Sequence, residues 1–500
     1  MSPTLVLSLI AGYFVVLIII AYLTSRKATS ESFFIANRNA PWYMVAFAMI
    51  GTSLSGVTFV SVPGQVLTGQ WSYLGLVFGY VAGYAVIGTV LLPLYYRLNL
   101  VSIYTYLEQR FGFWSYKTGA FFFLLSRAIG AAFRLFLVAG VLQLLVFEKL
   151  GVPFAVTVTV SILLIYLYTF RGGLKTILWT DTFQTLAMLL CVVVSIGLIG
   201  QELNLGWTGL VQTVRESPLS ETFFFDDPNS KKYFWKQFAA GMFITITMTG
   251  LDQDLMQKNL SCRSLQDAQK NMFWFTLTLV LVNVLFLSLG VLLYEYASVK
   301  GLALDKLPEL LNPKGTLDTD KVFPYLATNH FSLFAGVVFV LGIIAVTYAS
   351  ADSALTALTT SFCVDFLNIS RYPEARQKSM RQLTHLAFTV VLIVIILIFR
   401  ALNDQNVVSA VFDAAGYTYG PLLGLYAFGL YTQRRPQDRW VPLVCVLSPV
   451  LTWVLVKNAG TWLNGYEIGF EKLIYNGLLT FIGLWAVSRR VPQPELNPVA

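Results

Sequence analysis

The stretch GTSLSGVTFVSVPG, residues 51–64, decides how this chain is read. Nine of its fourteen residues are Gly, Ser, Thr or Pro. These types disfavour a continuous helix, by backbone entropy, by competing for backbone hydrogen bonds or by lacking an N–H. Yet the stretch lies inside an apolar run long enough to cross a bilayer. A helix that unwinds here frees carbonyls at membrane depth, which is tolerated where they line a cavity or coordinate an ion. The other reading is a stripe of small residues for close helix packing. A similar patch, TITMTGLDQD at 245–254, interrupts a later apolar run. Two interrupted spans in corresponding positions of two halves point to a transporter built on an inverted repeat.

Composition fixes the solvent. Hydrophobic residues make up 56% of the 500, charged residues only 12%, and the mean hydropathy is +0.67. A soluble chain carries about 25% charged residues. Apolar runs of roughly 20 residues, enough to cross a 30 Å core, recur throughout. They predict thirteen spans, at 4–24, 42–69, 71–96, 118–147, 152–170, 174–201, 236–257, 272–297, 331–366, 383–401, 406–431, 440–457 and 471–488. Two long apolar stretches are split, at Gly69–Gln70 and at Arg171–Gly172–Gly173. No room is left for a soluble catalytic module.

Lys and Arg set the orientation. Arg26, Lys27, Arg38, Arg97, Arg110, Lys117, Arg171, Lys175, Lys258, Arg263 and Lys270 fall on one side, with Arg371, Arg376, Lys378, Arg381, Arg434, Arg435, Arg439, Arg489 and Arg490. Short loops on the other side hold few, such as Lys149. The bias predicts an N-terminus outside and a C-terminus inside, in the cell (inner) membrane. The first span has no basic segment before it and no small-residue cleavage site, so it reads as an anchor rather than a secretory signal. The net charge of +8 is then a topogenic signal, which argues against nucleic acid as a partner. The partners expected are lipid and a small solute, with a monomer as the working unit. Cys191, Cys262, Cys363 and Cys445 show no metal or disulfide spacing.

Asp181, in LWTDTFQ, and Asp352, in YASADSALT, fall inside two different spans among hydroxyl residues. Each costs about 2.5–3.5 kcal/mol to insert. A buried carboxylate ringed by oxygens most simply holds a small cation, and a like-charged neighbour also makes a shared proton a live alternative. An interhelical hydrogen bond without an ion is the plainer reading. Arg127 and Arg134 lie seven residues apart on one face of the run LLSRAIGAAFRLFLV. An intramembrane Arg pairs, snorkels or binds a ligand. A channel would need a ring of like residues or a continuous polar pore, whereas these patches are local. A membrane enzyme would need clustered acid–base groups, but His330 and His385 are far apart. A sensor built on such a core would add a signalling domain, and the chain stops soon after Arg490.

The segment YTFRGGLKTILWTDTFQ, residues 168–184, resembles the fifth-helix entry of the sodium:solute symporter family. SGVTFVSVPG (55–64), LDQDLMQKNL (251–260), YASADSALTALTTSFCVDF (348–366) and GYTYGPLLGLYAFGL (416–430) agree with it in order. The resemblance implies an all-α integral membrane protein of LeuT-type 5+5 inverted-repeat fold, with about 13 transmembrane helices. Residues 42–201 and 236–431 would be the two five-helix repeats, preceded by 4–24 and followed by 440–488. It implies one or two Na⁺ ions. The common site would use carbonyls of Gly51, Leu54 and Val346 with Ser350. Ala349 stands where many relatives carry a hydroxyl, so Thr347, Ser53 or water would complete the shell. A second site, present in some members, would use Asp181, Asp352 and Ser353.

The solute would contact Ser55 and Thr58 on the first core helix, Thr249 or Gln253 on the sixth, and Tyr417 or Tyr419 on the tenth. In the sialic-acid carriers an Arg holds the solute carboxylate. The equivalent position here falls nearest Gly130, between Arg127 and Arg134, so either is a candidate for that role. The implied function is sodium-coupled uptake of a small polar solute by alternating access. A carboxylate such as sialic acid or a monocarboxylate is favoured. A sugar or polyol symporter, or a proton-coupled carrier using Asp181 and Asp352, is the alternative.

Overall fold

The computed structural model describes residues 3–25, 30–143, 147, 148, 150–312, 314–402 and 407–490. Arg26, Lys27 and Lys149, cited above for orientation, lie outside the described residues, as do the side chains of Arg171 and Thr347.

Within the described residues, each predicted span falls on helix. Among the described residues, eight helices are long and apolar enough to cross a membrane, and a bent pair makes nine. The other predicted spans are shorter or interrupted, such as Phe154–Phe170 and Gly420–Tyr431. The outward faces carry large apolar side chains at one-turn spacing, for example Val390, Val394 and Ile398, or Val446 and Val450. An outer surface this apolar is that of a lipid-facing bundle.

The second span is the bent pair. Trp42–Ser53 and Gly56–Gly69 meet at 55°. Leu54 (φ −86°, ψ 81°) and extended Ser55 (φ −77°, ψ 173°) form the break, inside the Gly/Ser/Thr-rich patch where helix propensity is lowest. The seventh span yields differently. Phe234–Thr245 continues into a π-helical stretch, Ile246–Gly250. Leu251 and Asp252 then leave helical geometry, and Gln253–Asn259 begins with the Asp252 carboxylate accepting from Asp254 N at 2.8 Å. The carbonyls freed at this break are answered from the third span and the segment after it. Tyr95 donates to Gly250 O at 2.8 Å and Tyr104 to Leu251 O at 2.9 Å.

The fifth and sixth spans form one run, Phe154–Glu202, interrupted at Gly173. Gly173 has φ +52°, and a Cβ there would meet the Phe33 ring at 2.3 Å, so both backbone and packing call for glycine. The ninth span, Leu333–Ser361, packs along this run. The interrupted spans and these two helices surround a common centre. At the basic end, Arg434–Pro436 pairs antiparallel with Ser488–Arg490.

Candidate functional site

Two polar regions meet at the broken helices. One is a small cavity, about 80 Å³, that opens to the outside of the protein. Ser55 and Thr58 line it from the second span and Thr249 from the seventh. Arg127 and Arg134 line it from Phe113–Leu142. Thr52, Ser53, Tyr73, Tyr80, Tyr84, Thr245 and Asn283 complete its polar wall, with Val57, Ile244, Met248 and Phe412 among the apolar ones. The sequence reading did not include the three tyrosines or Asn283. Their signal was available: positions 73, 80 and 84 share one helix face, and Asn283 is a lone amide in the run LVLVNVLFL. Asn283 Nδ2 donates to Leu279 O at 2.8 Å, while its buried Oδ1 has no partner.

The two arginines differ. Arg127 is buried and donates to Asp254, with Nη1 3.9 Å from Asp252 Oδ2. Tyr419 donates to Asp252 in turn. Arg134 is half-buried, and among the described residues no hydrogen bond or ion pair engages it. Three other expected solute contacts, Gln253, Tyr417 and Tyr419, are not on the cavity wall. Gln253 is turned toward the backbone of 101–103, giving its amide N–H to Val101 O at 2.7 Å and accepting from Ile103 N at 3.0 Å. Tyr417 is packed against the thirteenth span, its carbonyl accepting from Asn476 at 2.8 Å and its ring facing Lys472. Both side chains are drawn off by partners that the sequence does not advertise.

The second region is a charged cluster beneath the break in the second span. Asp181, Asp352 and Lys258 are all fully buried in it. Asp181 Oδ2 accepts from Lys258 Nζ at 2.5 Å and from Thr52 Oγ1 at 3.2 Å. Lys258 also donates to Thr52 Oγ1. Thr52 Oγ1 lies 3.4 Å from Ser353 Oγ, so the second and ninth spans are joined through it. Asp352 accepts from Tyr168 OH at 2.8 Å and from Ser353 N at 2.6 Å. Asp181 Oδ1 has no partner. The structure therefore corrects the reading of Lys258 as a loop residue. It lies within Gln253–Asn259, one residue past the predicted span end, and its side chain points into the protein.

Of the residues expected for the common sodium site, Gly51 and Leu54 lie at this break, and Val346 and Ser350 lie on the ninth span, whose Ser353 meets Thr52. Gly51 lies in the last turn of its helix, against the sixth span, where an added Cβ would sit 2.3 Å from Thr185 Oγ1 and 3.4 Å from Asp181 O. Leu54 is the non-helical residue itself. Ser350 Oγ lies 3.5 Å from Val346 O, one turn earlier on the ninth span. Ala349 beside it is fully buried and brings no side-chain oxygen. Among the described residues no group of His, Cys, Asp and Glu is arranged to hold a metal ion.

Residues 33–438 match the sequence model of the Sodium:solute symporter family, and the chain belongs to that family. It is a multi-pass membrane transporter, not an enzyme. It is 24% identical to the sodium/sialic acid symporter NanT of Aliivibrio fischeri, over 92% of this chain and 89% of that one. With the sodium/sialic acid symporter SiaT of Proteus mirabilis it shares 22% identity over 94% and 93% of the two chains. The fold is that of a Na⁺-coupled sialic acid symporter solved in a substrate-bound, outward-open state, with a TM-score of 0.80 at 17% identity, covering 97% of this chain and 99% of that one.

Proposed function

We propose that this protein is a sodium-coupled symporter that carries a small organic carboxylate into the cell by alternating access. The observation that carries the solute class is Arg134. A guanidinium on a cavity wall with no ion pair of its own is incomplete without an anion, and its planar fork suits a carboxylate. Hydroxyls of Ser55, Thr58 and Thr249 and the unpartnered Asn283 Oδ1 would bind the polar body of the solute. Sialic acid and short monocarboxylates fit this description, and two of the relatives are named for sialic acid.

On this reading Arg127 is a positioning residue. Held by Asp254 and Asp252, it closes the cavity floor between the fourth and seventh spans. With the N-terminus outside, the Tyr73 and Arg134 side of the cavity faces outward and the Arg127 layer faces the cytoplasm. Residues 42–201 and 236–431 form the two repeats, with 4–24 and 440–488 outside them. Sodium binds at the break, on carbonyls of Gly51, Leu54 and Val346 with Ser350, and orders the broken helix before the solute closes the outer gate. Each sodium charge falling through 100 mV releases about 2.3 kcal/mol, or nearly fiftyfold in solute concentration.

The test is uptake into proteoliposomes of sialic acid, short monocarboxylates and neutral sugars, with an inward gradient of sodium or of choline. Carboxylate accumulation that collapses in choline is the expected result. Accumulation that is equal in choline, or confined to neutral sugars, overturns the proposal.

A further inference from the structure

The ammonium of Lys258 sits where the second, sixth, seventh and ninth spans meet. Its ligands are the Asp181 carboxylate at 2.5 Å and the Thr52 hydroxyl, with Ser353 Oγ one hydrogen bond further on. A carboxylate and a hydroxyl on different spans are what a small monovalent cation would meet at that point. We propose that Lys258 is a tethered cation that holds the Asp181 position, so that this carrier binds one sodium ion per cycle rather than two. The one ion is then that of the carbonyl set around Gly51, Leu54 and Val346. The inference rests on the sodium-coupled reading above.

Charge argues first. Two unit positive charges about 4 Å apart, at an effective dielectric of about 20, repel enough to weaken the second roughly a thousandfold. A sodium ion sharing Asp181 with a seated ammonium meets that repulsion.

The supply of oxygens argues second. Both Asp352 oxygens already accept, from Tyr168 OH and from Ser353 N. Position 349, one turn before Ser353, is alanine. Asp181 Oδ1 is open, but one oxygen beside an ammonium falls short of the several that a hard cation gathers.

Burial argues third. Lys258 and Asp181 are both fully enclosed. Withdrawing the lysine to admit an ion would strand its own charge in apolar surroundings.

Equilibrium binding of radiolabelled sodium alone to the purified full-length protein counts the ions. Wild type is expected to saturate at one sodium per chain. Lys258→Met opens Asp181 and should raise the count to two, Lys258→Met/Asp181→Asn should return it to one, and Lys258→Arg should stay at one. Two ions on wild type, or a folded Lys258→Met that still binds one, overturns the proposal. A wild type that binds none overturns the sodium-coupled reading and this inference with it. If Lys258→Met does not fold, Ser350→Ala decides. A tenfold or greater loss of affinity for the single ion supports the assignment, and unchanged affinity overturns it.

Discussion

Arg127 and Arg134 stand two turns apart on one helix, and only Arg127 is held. It donates to Asp254 and approaches Asp252, whereas Arg134 lines the cavity with no hydrogen bond or ion pair among the described residues. Two residues that look equivalent in the sequence therefore differ in what their loss should do.

Arg134→Gln should lower sodium-driven carboxylate uptake at least tenfold, chiefly through a raised KM, and leave thermal stability close to wild type. A charge-assisted contact to solute is worth roughly 1.5–3 kcal/mol, which sets that scale. Uptake kinetics in proteoliposomes and a melting curve read the two quantities separately. Unchanged KM for every carboxylate tried would remove Arg134 from the site.

Arg127→Gln should act on stability first. It leaves Asp254 and Asp252 buried without their cation, and breaking such a pair from one side costs about 3–5 kcal/mol. The measurement is Tm in detergent, with Asp254→Asn on the same background as the partner variant. The double variant should recover part of the loss. If Arg127→Gln melts like wild type, the floor of the cavity is not held as described.

Tyr95→Phe removes the hydroxyl that answers Gly250 O. A buried carbonyl left unsatisfied costs about 1–3 kcal/mol, so Tm should fall while the apparent affinity for sodium changes little. Tyr104→Phe, which frees Leu251 O, should behave alike. A variant with unchanged Tm would show that the break does not need these hydroxyls.

Gly51→Val should abolish sodium dependence together with fold stability, because the added side chain enters the space of Thr185 Oγ1, itself bonded to Phe47 O at 2.9 Å. Overpacking of this kind costs about 1–3 kcal/mol or more. Thr185→Ala in the same chain should restore part of the Tm. No restoration would place the effect elsewhere.

Much of the architecture was legible because the bilayer enforces it. Apolar runs set the spans, and the Gly/Ser/Thr patches at 51–64 and 245–254 coincide with the two breaks. Gly172–Gly173 marked the boundary between the fifth and sixth spans, which positive φ at Gly173 explains. The site was less legible. Asp181 was visible as a costly buried charge, but its partner Lys258 looked like one more basic residue at a span end. The span 236–257 stops one residue short of it, so a charge that turns inward is counted with the basic residues that flank the membrane. Gln253 and Tyr417 carry polar side chains near a break, and what those side chains meet, Val101, Ile103 and Lys472, is distant in the chain. The tyrosines at 73, 80 and 84 share a helix face, and only the fold shows that this face meets the cavity.

The tyrosine hydroxyls at Gly250 and Leu251 also constrain how the carrier turns over. They fasten the lower half of the seventh span to the third span and the connection after it. Those pieces must travel as one body, so any hinge in the seventh span lies above residue 250, in the π-helical turn, where a helix with a surplus residue can rewind without surrendering its hydrogen bonds.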